Sequence, residues 1–171
     1  MLYRMLSKLL DYPDEGLAGV LWEIRSRARS VDEMDDHERG VVEKFVDYLE
    51  SLALTESQAA YVMTFDMVPE HSLHLTHHLF GDDKNRGPAL IDLTEFYKEY
   101  GLELAANELP DFLPLVLEFA DQLDEEEARM FLSQWTKVLK VLAGNLEENK
   151  SPYAPLVHLV EKRAQLVKAA A

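Results

Sequence analysis

The 171-residue chain contains no cysteine. That absence excludes disulfide staples, thiolate-held zinc, thiolate-bound iron–sulfur clusters and a cysteine nucleophile. Basic residues are scarce: 17 Lys and Arg stand against 32 Asp and Glu, a net charge of −15. Such a field repels phosphate backbones and anionic head groups, so nucleic acid and membrane surfaces make poor partners, whereas a basic peptide is drawn in. No stretch approaches the ~20 apolar residues of a membrane helix. Met1–Leu10 carries Arg4 and Lys8 inside its apolar run, an amphipathic pattern rather than a secretory signal. The expectation is a cytoplasmic protein. Glycine and proline, seven of each, sit singly at turn-like places, with no P-loop, G-x-G-x-x-G or G-x-S-x-G pattern among them. Long alternating runs are missing too, so no strand is expected.

What is present is helical period almost throughout. Between Asp124 and Leu146, Ala128, Phe131, Leu132, Trp135, Val138, Leu139, Leu142 and Leu146 form one apolar stripe, read here as a single helix opened by Asp124 and Glu127. Asp35 and Glu38 open a helix striped by Val41, Val42, Phe45, Val46, Leu49 and Leu52. Thr55 and Gln58 open the next, which carries Ala59, Val62 and Met63. Pro88 starts another, with Leu90, Leu93, Tyr97 and Tyr100 inward and Gly101 placed to end it. Ser151–Pro152 begins a last helix outlined by Tyr153, Leu156, Val157, Val160 and Val167. Two breaks interrupt the pattern, the polar loop Gly81–Pro88 and the segment Asn107–Asp111; after the second, Asp111 caps the next helix and Pro114 falls in its first turn. With no linker or repeat visible, residues 1–171 read as a single all-α domain, a helical bundle able to bury roughly 70% of its unfolded surface without staples.

Three constellations bear on function. His71, His74 and His78 share a helical face, and with Glu70 or Asp82 they would surround a metal ion; a helical metal-binding protein is therefore the alternative reading. The same segment lacks HExxH and Glu-x-x-His and carries Leu73, Leu75, Leu79 and Phe80, which marks it as a packing element. Carboxylates are abundant, but in an acidic helical protein they belong to solvated faces and helix termini, so no catalytic pair is assigned. The third constellation is an apolar groove with an acidic rim. Tyr61, Phe65, Phe112 and Leu115 supply apolar contact, and Glu108, Asp111 and Glu118 supply charge, for an amphipathic helix carrying basic residues. Arg86 is expected to anchor its loop by pairing with a carboxylate.

Particular runs resemble a known family. Tyr61-Val62-Met63-Thr64-Phe65-Asp66, Ser72-Leu73-His74-Leu75, His78-Leu79-Phe80-Gly81-Asp82 and Asn85-Arg86-Gly87-Pro88-Ala89-Leu90-Ile91-Asp92-Leu93 follow one another in the order seen in NarJ-type nitrate reductase assembly chaperones. Glu108-Leu109-Pro110-Asp111 resembles the signature of the wider TorD-like redox-enzyme maturation chaperones. The resemblance runs from Leu2 to about Val160. It implies a cytoplasmic, all-helical, non-catalytic protein that binds the N-terminal region of the nitrate reductase catalytic subunit. Binding would keep that subunit competent for insertion of its molybdenum cofactor, a bis-guanine-dinucleotide molybdopterin, before membrane docking. The chaperone itself would hold no cofactor stably. A monomer is the default, with a dimer left open by helix exchange in the wider group. Many relatives have histidine after Glu-Leu-Pro-Asp where this chain has Phe112, so any role of that histidine is not carried over. His78 falls where relatives often place histidine; His71, His74 and His77 are particular to this chain.

Overall fold

Residues 1–165 are described by a computed structural model. Among them are ten α-helices: α1 (Leu2–Leu10), α2 (Glu15–Ser30), α3 (Asp36–Glu50), α4 (Leu54–Tyr61), α5 (Leu75–Phe80), α6 (Arg86–Glu99), α7 (Leu113–Ala120), α8 (Glu125–Ser133), α9 (Thr136–Glu148) and α10 (Ala154–Ala164). A π-helical turn, Val62–Asp66, continues α4, and a 3₁₀ turn, Pro69–His71, follows it. The only strand-like pairing among the described residues is one antiparallel bridge, His74 with Phe112. The chain is all-α.

The core sits around α1. Leu2, Tyr3, Met5, Leu6, Leu9 and Leu10 are buried, leaving Arg4 and Lys8 as its wet edge. Helix α7 runs antiparallel to it: Ser7 donates to the Pro114 carbonyl at 2.6 Å, and the Met1 amine pairs with Asp121 at 2.7 Å. Helices α9 and α10 form the second half of the core, with Leu139, Leu142, Leu146, Leu156, Val157 and Val160 all excluded from water. Helix α2 lies antiparallel on α3, stitched at the surface by Arg25 to Asp47 at 2.7 Å and Arg29 to Glu43 at 2.6 Å. Exposed pairs of this kind contribute little; the buried leucines carry the stability.

Most apolar stripes fall where the periodicity puts them, but several helix ends do not. All eight residues of the stripe from Ala128 to Leu146 are buried, yet the helix breaks at Gln134–Trp135 into α8 and α9. There Ser133 and Thr136 hydroxyls turn back onto the carbonyls of Met130 and Ser133, at 2.6 and 2.8 Å, and so compete with the helical ladder. The reciprocal capping box of Asp35 and Glu38 forms as expected. Thr55 does not cap α4; the helix starts one residue earlier, and Glu56 accepts the Ala53 amide at 2.8 Å. Helix α10 begins at Ala154, and Val167 lies outside the described residues. Helix α6 begins at Arg86, two residues before Pro88. It ends before Gly101, whose φ of +78° is the left-handed turn that glycine adopts most readily. Of its expected inward residues only Tyr97 is buried; Leu90 and Leu93 are half-buried and Tyr100 is half exposed.

Candidate functional site at the Asp111 junction

Asp111 does not cap the helix that follows it. Helix α7 has Phe112 at its N-cap, with no side-chain hydrogen bond there. The fully buried Asp111 carboxylate instead reaches across to α5. Its Oδ2 accepts the Thr76 amide at 2.9 Å and the Thr76 hydroxyl at 2.6 Å. Those two donors lie in the first turn of α5, so the aspartate caps a helix 35 residues upstream in the sequence. The backbone places it there: Leu75 donates to the Asp111 carbonyl at 3.0 Å, and Leu113 donates to that of Leu73 at 2.8 Å. Pro110, also buried, takes a 2.8 Å hydrogen bond from the Tyr97 hydroxyl of α6.

Arg86 and His74 approach this carboxylate loosely. Arg86, the first residue of α6, donates through Nε to the Thr76 hydroxyl at 3.0 Å and holds Nη2 3.8 Å from Asp111 Oδ2. His74 Nδ1 lies 3.6 Å from Asp111 Oδ1, too far for a hydrogen bond, while its ring stacks on Phe112 at 5.1 Å. Burial alone would push the Asp111 carboxyl up. The His74 ring and the Thr76 hydroxyl and amide outweigh that and hold it below the usual carboxylate range. Burial, with the same anion adding to it, pushes the Tyr97 hydroxyl well up.

The other expected site residues separate into three places. Tyr61 and Phe65 are not groove walls. They belong to a buried aromatic group with Tyr153, at ring distances of 5.9 and 4.8 Å, and the Tyr61 hydroxyl donates to the Leu10 carbonyl at 3.0 Å. The π-helical turn carries Phe65 inward, so the place read as a hollow is filled by the chain's own rings. Phe112 and Leu115 are half-buried at the start of α7, and Glu118 is exposed on that helix. Glu108 is exposed beside Asp11. Desolvation pushes the Asp11 carboxyl up, and Asp14 and Glu108 add to this against the Tyr12 amide and Lys8.

The histidines do not share a face. His71 is buried in the 3₁₀ turn, bound through Nδ1 to the Thr64 carbonyl at 2.9 Å and facing Asn149 Nδ2 from Nε2 at 3.2 Å. His78 donates Nε2–H to the Ser72 carbonyl at 2.7 Å, and burial pulls its pKa down. Among the described residues no three His, Asp or Glu side chains converge as a metal centre requires. The helical face assumed for them is interrupted, because residues 69–71 form a tight turn and residues 72–74 are extended.

Sequence reading missed two groups. Thr76 carries no pattern that marks it as the recipient of a distant cap. Arg163 did carry a signal, a lone charge three residues beyond Val160 on an otherwise apolar stripe. It is buried against Glu38, with Nε to Oε1 and Nη2 to Oε2 both at 2.8 Å, and it also reaches Glu125 at 2.7 Å and the Glu33 carbonyl at 2.8 Å. Burial raises the Glu38 carboxyl, but Arg163 and the Asp35 amide bring it below the ordinary value.

One oxygen of this buried carboxylate is held by a helix terminus and the other, Oδ1, has no hydrogen-bond partner, so the visible role of Asp111 is to join α5 to the start of α7. Over residues 31–158 the sequence matches the family described as nitrate reductase delta subunit. The chain belongs to that family. The matched region contains the whole Asp111 junction and Glu38, while Arg163 lies just past it. Among delta-subunit relatives, the nitrate reductase molybdenum cofactor assembly chaperone NarJ of Escherichia coli strain K12 is 34% identical over 163 residues, covering 94% of this chain and 68% of that protein. A probable NarJ of Bacillus subtilis is 32% identical over 161 residues, 92% of this chain and 85% of that one. The nitrate reductase-like protein NarX of Mycobacterium tuberculosis is 30% identical over 160 residues, 94% of this chain but 24% of the relative, where a unit of this length is one part of a longer polypeptide. The two NarJ relatives carry the name of assembly chaperones. No helix among the described residues is long and apolar enough to cross a membrane.

Proposed function

We propose that this chain is a nitrate reductase assembly chaperone. It binds the N-terminal region of the catalytic subunit and keeps that subunit competent for molybdenum cofactor insertion before membrane docking. The observation that carries the reading is the family match spanning residues 31–158, together with assembly chaperones 34% and 32% identical over nearly the whole chain. The chain acts on the cytoplasmic side as a monomer and holds no cofactor of its own.

Physical features support a role in peptide capture. A leader-like segment loses conformational freedom on binding, so burial of its apolar face must offset that cost. Phe112 and Leu115 are half-buried at the start of α7, Glu118 is exposed on that helix, and Glu108 is exposed in the segment that leads into it, on the side of Asp11. With a net charge of −15, the surface steers a basic segment and sets its register more than it adds affinity. Asp111 contributes by position, holding the junction from which these residues project.

Calorimetry of the full chain against synthetic N-terminal peptides of nitrate reductase catalytic subunits tests the reading. Saturable binding that weakens as salt rises is expected, with Glu108→Gln and Glu118→Gln each reducing the salt slope. Absence of binding both to such peptides and to the intact cofactor-free subunit overturns it.

A further inference from the structure

We propose that residues 76–110, comprising α5, α6 and their loops, form a lid that opens as one unit, with Asp111 as its latch. The proposal concerns the fold and does not depend on the identity of the client.

Both ends of this excursion meet at one place. Residues 73–75 and 111–113 are joined by the two backbone hydrogen bonds of the His74–Phe112 bridge, at 3.0 and 2.8 Å. Beside that bridge, Asp111 holds Thr76 twice, Arg86 joins through the Thr76 hydroxyl at 3.0 Å, and His78 adds a 2.7 Å hydrogen bond to the Ser72 carbonyl. Past the latch, α6 is weakly seated. Ala89, Leu90, Leu93 and Phe96 on its inner side are only half-buried, Tyr97 alone is fully enclosed, and Ile91 is 63% exposed. Its remaining hold is aromatic: Phe96 stacks on Phe131 at 5.8 Å and Tyr97 packs on Phe119 at 4.7 Å.

Gly81 and Gly101, which end α5 and α6, have φ of +54° and +78°, a conformation glycine adopts without the cost a Cβ brings. Segments with little buried apolar surface open locally at a free energy well below that of global unfolding. Raising this one uncovers the rings of Phe119 and Phe131, which the closed form keeps at 2% and 4% exposure. Apolar surface is then presented only while the latch is undone.

Amide hydrogen exchange by mass spectrometry on the full chain tests the lid. In the wild type, amides of α5 and α6 should exchange together and faster than those of α9 and α10. Asp111→Asn retains an acceptor for Thr76 but removes the charge, and it should speed exchange within 76–110 by roughly tenfold while leaving α9 and α10 unchanged. His74 and Phe112 face each other as a pair not directly hydrogen-bonded, for which Cα atoms lie about 4.5 Å apart, within disulfide reach. A His74→Cys, Phe112→Cys protein, whose two new thiols are its only ones, should therefore slow α6 exchange when oxidised and release it when reduced. This second arm stands even if Asp111→Asn fails to fold. Binding of the dye ANS should follow the same order, highest in Asp111→Asn and lowest in the oxidised pair. Equal acceleration of α6 and α10 in Asp111→Asn, or α6 exchange indifferent to the disulfide, overturns the proposal.

Discussion

Arg163 and Asp111 are both buried charges at which separate helices meet, but their partners differ. Arg163 and Glu38 shield each other, at 9% and 2% side-chain exposure, and meet by two parallel 2.8 Å hydrogen bonds. Asp111 is fully enclosed, but its neighbours His74 and Arg86 are wet, at 39% and 27% exposure, and neither makes a true hydrogen bond to it. A charge enclosed with its counter-ion has no exit, because separating the pair leaves two bare ions in a poor dielectric. A charge held by neutral donors, with a half-exposed guanidinium nearby, can pass to water as its partners do. The proposed lid therefore predicts that the α5–α7 junction opens before the α3–α10 joint.

The comparison can be broken first at its stronger side. Arg163→Met strands the Glu38 carboxylate and should lower stability by about 3–5 kcal/mol in urea unfolding, whereas Glu38→Leu combined with Arg163→Met should recover most of that loss. If the single variant unfolds no more easily than wild type, the joint is not what holds α10. Asp111→Ala comes next. It leaves the first turn of α5 without its acceptor and should cost about 2–3 kcal/mol, with exchange rising mainly between 76 and 110.

Acid sharpens the contrast further. Glu38 and Asp111 titrate below their unfolded values when folded, so the stability they lend is present above about pH 4 and is lost as pH falls through the folded values. His78 behaves differently, because burial depresses its folded pKa. The unfolded chain takes up that proton first, near pH ~6.5, so stability declines from there as pH falls. Urea unfolding at pH 7.5 and 5.5 should show a loss that shrinks in His78→Gln and persists in Arg163→Met. The smallest effect is expected for Arg86→Lys, which keeps the charge but loses the Nε bond to Thr76; a change of about 0.5–1 kcal/mol with no effect on α10 exchange would fit a half-exposed contact.

The helices were legible because burial follows a 3.6-residue period, and the stripe from Ala128 to Leu146 obeys it while Met130 and Val141, off the stripe, are exposed. The break at Trp135 was not, since Ser133 and Thr136 bond to carbonyls in a way that leaves the apolar spacing unchanged. At the candidate site the Glu-Leu-Pro-Asp run was legible as a signature and misread as a local cap. A carboxylate followed by a helix looks the same in one dimension whether it caps that helix or another. Tyr61 and Phe65 fell on the same ambiguity, since an aromatic at helical spacing serves a core and a groove equally well.

The amino-acid sequence by itself determined the all-helical class, the acidic surface, the absence of thiol chemistry and the family. Each of these follows from composition, period or contiguous motif, which need no knowledge of what lies opposite. Tertiary structure alone decided that Asp111 serves α5, that Arg163 finds Glu38, and that three histidines have three unrelated partners. Those outcomes depend on which distant segments share a volume, and local residue order carries no record of that.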